Sequence, residues 1–112
     1  MNLKYPKQCN SAEEVRNQID KIDRHIIELF AIRHTYVEEI VRFKNDEEGI
    51  IAHDRKKQVI HDRRKWAKEN GLDADTFEKM WLLLIENNIQ HELELLKKKH
   101  KKKFNISQNK AT

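Results

Sequence analysis

The chain has 112 residues, a length that suits one domain built around one hydrophobic core. Charged and hydrophobic residues each make up 38% of it, with only two glycines and one proline, which favours long amphipathic helices over a sheet. No apolar run approaches the roughly 18 residues that a membrane span needs, and no signal-peptide pattern opens the sequence. Cys9 is the only cysteine, so an intrachain disulfide is excluded and a cytoplasmic location is expected.

The first predicted helix follows an N-terminal extension, residues 1–10, and runs from about residue 12 to about residue 45. Ser11 and Glu14 have the spacing of a capping box, with Ser11 as the N-cap. Side chains then recur every seven residues in two rows: Val15, Ile22, Leu29, Tyr36 and Phe43, and Ile19, Ile26, Arg33 and Ile40. At 1.5 Å per residue, this helix would be about 50 Å long.

Two further helices are predicted before the end of the chain. The second begins near Asp54 and ends at Asn70-Gly71, because glycine favours the left-handed conformation that terminates helices. The third begins after Leu72, with Asp73 or Asp75 as its N-cap, and fades into the lysine run at 97–103. The candidate buried residues are Val59, Ile60, Trp66 and Ala67 on the second helix, and Phe77, Met80, Trp81, Leu84, Ile85, Ile89 and Leu96 on the third.

These helices predict an all-α fold for residues 11–103, with 104–112 as a disordered tail. A compact protein of this length has a radius of gyration of about 13 Å, which a helix of about 50 Å exceeds. Part of its apolar seam is therefore left without cover from its own chain. An isolated coiled-coil arm is one solution, but pairing with a second copy is favoured because the other helices are amphipathic too. We expect an intertwined homodimeric helical bundle.

The net charge of +4 comes from the lysine run at 97–103, which alone carries six positive charges. Such a run could bind nucleic acid or anionic lipid, but a solvated helix end is favoured, since lysine suits the negative end of the helix dipole. A nucleic-acid-binding or interaction module stays open as the non-enzymatic alternative. The six histidines form no HExxH motif or Cys/His cluster, and no phosphate-binding glycine loop is present, so neither a metal nor a cofactor is expected.

The most informative residues are polar ones in rows that are otherwise apolar. Arg33 interrupts one row of the first helix, and Arg16 and Lys44 lie in a neighbouring row. On the third helix, Asn88 and Glu92 continue the stripe of Trp81, Leu84 and Ile85. Buried charge without a partner costs several kcal/mol, so each group needs a counterpart. The residues alone leave two interpretations open, structural ion pairs across the bundle and a binding site for a compact anion.

The spacing of the three cations favours a shared site. Arg33 and Lys44 are eleven residues apart, about 16 Å along a helix, so their long side chains could bracket one small molecule. Arg16 lies seventeen residues before Arg33, about 26 Å away, which is too far for one straight helix to bring it to that molecule. If Arg16 serves the same kind of site, it comes from the partner subunit. A dimer would then hold two equivalent sites.

The sequence resembles the all-helical chorismate mutases, and within them the isochorismate-pyruvate lyases, over roughly residues 10–96. The resemblance rests on Arg16-x-x-Ile-Asp-x-Ile-Asp23, on Arg33, on Tyr36-Val37 through Arg42-Phe43-Lys44, on Arg55, and on Trp66-Ala-Lys-Glu-Asn-Gly-Leu-Asp73. It implies an intertwined homodimer and a pericyclic rearrangement of chorismate to prephenate. That reaction needs no nucleophile, which agrees with a site made of cations and hydrogen-bonding groups.

The resemblance also implies roles for individual residues. Arg16 from the partner chain and Arg33 would bind the two substrate carboxylates, and Lys44 would bind the ether oxygen and a carboxylate. Arg55 would add positive charge beside a flexible 45–53 loop. Asn88 and Glu92 would line the pocket, with Glu92 facing the ether oxygen.

Two residues depart from the pattern of many mutases. Glu92 stands where many bacterial members have glutamine, and Lys56 stands where many have the glutamate that binds the ring hydroxyl. A carboxylate cannot donate a hydrogen bond, so Glu92 is expected to act in its protonated form. Lys56 keeps isochorismate-pyruvate lyase, which gives salicylate and pyruvate, as the alternative activity, because isochorismate carries its hydroxyl elsewhere on the ring.

Overall fold

A computed structural model describes the backbone of residues 1–111 and the side chains of residues 1–106, and within these limits the chain is helical, with no strand. A 3₁₀ turn at Pro6–Gln8 precedes α1 (Ala12–Ile40), a second 3₁₀ turn (Val41–Phe43), α2 (Glu47–Ile51), α3 (His53–Glu69) and α4 (Ala74–Ala111). The all-helical prediction is confirmed, α1 begins where predicted, and α3 lies close to its predicted bounds. None of the described helices is long and apolar enough to cross a bilayer.

The segment between α1 and α3 differs from the expectation. The predicted first helix reached about residue 45, but the α-helical part ends at Ile40 and tightens into the 3₁₀ turn. The expected loop at 45–53 contains α2, which begins after Asp46 because that side chain accepts a 2.8 Å hydrogen bond from the Gly49 backbone N–H. Ala52 separates α2 from α3 in the left-handed region, at φ 41°. The predicted loop is therefore partly helical.

The longest helix is α4, with 38 residues, rather than α1, with 29. The lysine run was expected at the end of the third helix, but it lies inside α4, whose helical backbone continues past residue 103 to Ala111. Residues 104–111, which were expected to belong to a disordered tail, therefore have a helical backbone. Thr112 and the side chains of 107–111 lie outside the described residues, so disorder there stays a prediction.

Contacts divide the chain into two parts, Met1–Tyr36 and Val37–Thr112. In the first part, Ser11 Oγ accepts the Glu14 backbone N–H at 3.1 Å, as the capping box predicts. The Glu14 carboxylate reaches back to the N–H of Asn10 rather than of Ser11, at 2.7 Å, and binds Lys4 Nζ at 3.0 Å. These bonds fasten the N-terminal extension to the first turn of α1.

We expect the contribution of Glu14 to stability to depend on pH. Accepting the Asn10 N–H, and beyond that the Lys4 ammonium, holds the pKa of Glu14 below its ordinary value of 4.5. Because the folded-state pKa is the lower one, the charged carboxylate stabilises the fold above about pH 4.5, and this is lost as the pH falls through the folded-state pKa. Thermal unfolding should show Glu14→Gln to be less stable than wild type at pH 7, with the gap closing below pH 4.5.

The matched control is Glu13→Gln, which removes a neighbouring exposed acid of the same helical turn. Both substitutions weaken the favourable interaction with the helix dipole, but only the one at Glu14 neutralises the group that accepts the Asn10 N–H and pairs with Lys4. A stability gap for Glu14→Gln that stays constant from pH 7 to pH 3 would contradict the prediction.

The predicted apolar seam of α1 is largely exposed in the single chain. No residue of α1, all of which the structure describes, is buried. Ile19 is 49% exposed, Leu29 51% and Tyr36 73%. Arg33, in the same seam, is half-buried. A row of large apolar side chains is thus left open on α1.

In the second part, α3 and α4 form a hairpin that ends and restarts where the sequence predicts. Gly71 has φ +71°, its N–H binds Lys68 O, and the N–H of Leu72 binds Ala67 O at 2.8 Å, the hydrogen bonds of a Schellman motif. Asp73 then caps α4 by accepting the Thr76 N–H at 3.0 Å. Val59, Ala67 and Ala74 are buried along the hairpin.

Two candidate core residues on the hairpin are about half exposed. Trp66 is 49% exposed and lies under the Arg63 guanidinium, 4.6 Å from the ring centroid, and Met80 is 48% exposed. A second core cluster lies further along α4, where buried Val41, Ile50 and Leu96 meet. This cluster packs the 3₁₀ turn and α2 against α4. The residues on both sides of Lys44 are therefore held against α4.

Candidate functional site

The two arginines of the predicted site lie in the first part of the chain, both on α1. Arg16 is exposed, near the start of the helix. Arg33 is half-buried, near its end. An exposed Arg16 is open to a molecule outside its own chain, as its assignment to a partner's site requires.

Lys44 closes the 3₁₀ turn that follows α1. Its backbone N–H donates to Val41 O at 3.1 Å, and its backbone then becomes extended, with φ −109° and ψ 138°. Its side chain is half-buried, and its Cδ lies beside Gly49 of α2, 3.4 Å from where a Cβ on that glycine would stand. The aliphatic part of Lys44 is thus in reach of α2.

Asn88 and Glu92 lie one turn apart on α4, so they share a face of that helix. Asn88 is buried, at 7% exposure, and Glu92 is half-buried. Next to Glu92, His91 Nε2 lies 3.3 Å from Glu38 Oε2, which ties α4 to the last turn of α1. The structure thus packs the turn that ends in Lys44 against the helix that carries Asn88 and Glu92.

Arg55 and Lys56 lie in the first turns of α3, with Arg55 exposed and Lys56 half-buried. Lys56 faces an open groove of about 530 Å³ between α3 and α4. The groove is lined by His53, Lys56, Lys57, Ile60, His61, Arg64 and Leu82, and none of these described residues is acidic. The position that carries glutamate in many mutases therefore faces a groove lined by basic and apolar residues, in which Arg64 is paired with Asp75 and Glu78.

One residue beside Lys44 was not expected from the sequence. Lys99, in the lysine run expected to be solvated, is half-buried, and its Nζ donates to the backbone oxygens of Val41, Arg42 and Lys44 at 3.2, 3.3 and 2.9 Å. These carbonyls are 55–58 residues away in the sequence, so no local pattern announces the contact.

A site of this composition binds negative charge and donates hydrogen bonds. Guanidinium groups suit carboxylates, and an ammonium group suits a single oxygen on which charge accumulates. Among its candidate residues, all described by the structure, there is no cysteine, serine or histidine to act as a nucleophile. Such a set can orient an anion and stabilise charge, which suffices for a reaction without a covalent intermediate.

A protein-family model matches most of the chain. The model described as chorismate mutase type II matches residues 15–93, which is more than half of the chain. This chain belongs to the type II chorismate mutase family. The predicted resemblance is thereby confirmed. All six candidate residues lie inside the matched segment, whereas Lys99 lies beyond its end.

Two named relatives represent two activities within this family. The chain is 34% identical over 91 residues to an isochorismate pyruvate lyase of Pseudomonas aeruginosa, a match covering 81% of this chain and 90% of that protein. It is 36% identical over 77 residues to a chorismate mutase of Methanocaldococcus jannaschii, covering 67% of this chain and 77% of that protein. Membership in the chorismate mutase family therefore agrees with either reaction.

Proposed function

We propose that this protein is a chorismate mutase, an enzyme that rearranges chorismate to prephenate. The observation that carries the proposal is the occurrence of Arg16, Arg33, Lys44 and Glu92 within the segment that matches the family. Two guanidinium groups and an ammonium group supply the charge and the hydrogen-bond donors that a small molecule with two carboxylates needs. A compact dianion is the kind of ligand whose negative charge two arginines and a lysine would balance.

In the proposed site, Arg33 and Arg16 of the partner subunit bind the two carboxylates of the substrate. Lys44 binds the ether oxygen that becomes negative as its bond to carbon breaks, and it also contacts a carboxylate. Arg55 adds positive potential at the start of α3, and Asn88 and Glu92 line the wall on α4. Lys44, Glu92 and Arg33 are the proposed catalytic residues.

Catalysis in this proposal is physical rather than covalent. The cations hold both carboxylates so that the flexible substrate adopts its compact reactive conformer, which removes an entropic part of the barrier. Lys44 and protonated Glu92 then donate hydrogen bonds to the ether oxygen, where negative charge grows in the transition state. Because these donors are already in place, little reorganisation is needed at the moment of reaction.

We further propose that the active form is a homodimer with two shared sites. The open apolar row of α1, with Ile19 and Leu29 each about half exposed, supports this assembly because a second copy of α1 would cover it. The exposed position of Arg16 supports its contribution to the partner's site.

Isochorismate-pyruvate lyase is the second candidate, and a specific residue favours it. Lys56 lies in a groove with no acidic lining residue, where many mutases use glutamate to bind the ring hydroxyl of chorismate. A substrate with its hydroxyl at a different ring carbon would not need that acid. The relative with this activity also matches more of the chain than the mutase does.

The direct test is to incubate the purified protein with chorismate and, separately, with isochorismate at pH 5 and pH 7.5. Prephenate from chorismate would support the mutase, and salicylate with pyruvate from isochorismate would support the lyase. The absence of every one of these products under all four conditions would reject both enzymatic proposals.

We expect mutase activity to fall as the pH rises through the titration of Glu92, because only the protonated carboxyl donates to the ether oxygen. Glu92→Gln should remove this pH dependence, since the amide donates at any pH. The measurement is kcat against pH from 4.5 to 8.5. The matched control is Glu94→Gln, an exposed acid on the same helix, which should keep the wild-type profile. An unshifted profile for Glu92→Gln would refute the assignment.

A further inference from the structure

Lys99 contacts another segment of the chain, whereas an exposed lysine at a helix end contacts only solvent. Its side chain crosses from α4 to the turn that follows α1, and its Nζ lies within hydrogen-bond distance of three backbone oxygens, those of Val41, Arg42 and Lys44. The shortest of these, at 2.9 Å, is to Lys44. The other two oxygens lie at 3.2 and 3.3 Å.

The Lys99 ammonium and the three backbone oxygens match in charge and in hydrogen-bonding capacity. Val41 and Arg42 lie in the turn that ends α1, where helix carbonyls keep hydrogen-bonding capacity and carry the negative end of the helix dipole, so a cation there is stabilising. A lysine ammonium has three N–H donors and no acceptor, which equals the number of oxygens it meets. A planar guanidinium presents its donors in a fixed fork, so arginine would not reproduce this arrangement.

The clamped turn carries Lys44 at its end. The Lys44 N–H is held by Val41 O and its carbonyl by Lys99, so both sides of its backbone are fixed. The aliphatic part of its side chain lies beside Gly49 of α2. The buried cluster of Val41, Ile50 and Leu96 lies beneath the same elements. The direction in which the Lys44 side chain leaves the turn thus depends on an ammonium contributed by α4.

We propose that Lys99 is a positioning residue that sets the location of the Lys44 ammonium by clamping the Val41–Lys44 turn. Its effect on turnover rests on the proposed function, in which Lys44 binds the ether oxygen. The clamp itself does not rest on it. Lys99 is thereby separated from its neighbours Lys98 and Lys101, whose side chains are exposed.

The first experiment compares Lys99→Met, which keeps an unbranched apolar chain but removes the ammonium, with Lys101→Met as the matched control. Both variants lose one charge from the same run. We expect Lys99→Met to lower kcat by about 10- to 100-fold, because misplacing one reacting group has effects of that order, with KM changed by less than about twofold. Lys101→Met should retain wild-type kcat and KM. An equal kcat for the two variants would overturn the proposal.

A readout independent of turnover keeps the clamp testable if neither substrate reacts. The backbone N–H of Lys44, bonded to Val41 O at 3.1 Å, should exchange with solvent deuterium faster in Lys99→Met than in wild type, and unchanged in Lys101→Met. Equal exchange in all three proteins would refute the clamp. Faster exchange in Lys99→Met without turnover by wild type would support the clamp and reject the proposed function.

Chemical rescue separates positioning from a general loss of stability. In a Cys9→Ser background, Lys99→Cys leaves one cysteine in the chain, and 2-bromoethylamine converts it into a thioether analogue of lysine with the ammonium restored. Alkylation with 1-bromopropane gives a neutral side chain of the same length. We expect the aminoethylated protein to regain kcat and slow Lys44 exchange and the propylated protein to regain neither. Equal recovery with both reagents would overturn the proposal.

Discussion

Replacing Arg33 by alanine is expected to lower kcat/KM by about 1,000-fold, because truncating one partner of a desolvated, hydrogen-bonded charge pair costs several kcal/mol. Arg33 is half-buried on α1 and is proposed to bind a substrate carboxylate. Lysine at this position would restore the charge but not the two parallel N–H donors of the guanidinium, so Arg33→Lys should recover only part of the loss. Steady-state kinetics with chorismate or isochorismate measures the effect.

The matched control for Arg33→Ala is Arg24→Ala on the same helix. The Arg24 side chain is 85% exposed and lies 3.5 Å from Glu28, a surface ion pair of small energetic value. Circular dichroism should show both variants to be helical, with wild-type kinetics for Arg24→Ala. A folded Arg33→Ala that keeps its kcat/KM within tenfold of wild type would be incompatible with Arg33 as a carboxylate ligand.

Mixing two inactive variants is expected to restore activity if each site takes Arg16 from the partner subunit. In a heterodimer of Arg16→Ala and Arg33→Ala chains, one site carries both defects and the other carries none. Random exchange of equal amounts makes half of the dimers mixed, so the mixture should reach about a quarter of wild-type activity. The measurement is turnover after the two variants have exchanged subunits.

The control for this mixing uses two defects that belong to the same chain's site. In the proposed arrangement, Arg33 and Lys44 both come from one chain, so a heterodimer of Arg33→Ala and Lys44→Met has one defect in each site. That mixture should stay inactive. Recovery in both mixtures, or in neither, would contradict a site that takes Arg16 from the partner.

The sequence predicted the parts of the fold that depend on neighbouring residues. The helix-stop at Asn70-Gly71 and the cap at Asp73 are local effects of backbone conformation and side-chain hydrogen bonding, and both occur as expected. The seven-residue spacing identified α1 because helical periodicity is visible in a single segment. Arg33 stands out for the same reason, as a polar residue in an apolar row.

Features that depend on contacts between distant segments were not predicted. Lys99 belongs to a run of seven basic residues, and only the fold shows which of them meets the carbonyls near Lys44. Trp66 was expected in the core, but stacking with Arg63 leaves it half exposed at the surface. For α2, a local sign was present, because Asp46 followed by two glutamates is typical of a helix start.

The exposed apolar row of α1 has a consequence for the proposed dimer in dilute solution. If a second copy covers Ile19, Leu29 and Tyr36, folding and association share the same driving force, and the unfolding temperature depends on protein concentration. Dilution would then remove subunit contacts and catalytic sites together. Specific activity would then depend on protein concentration. The dissociation constant of the dimer would set the lowest concentration at which the protein is active.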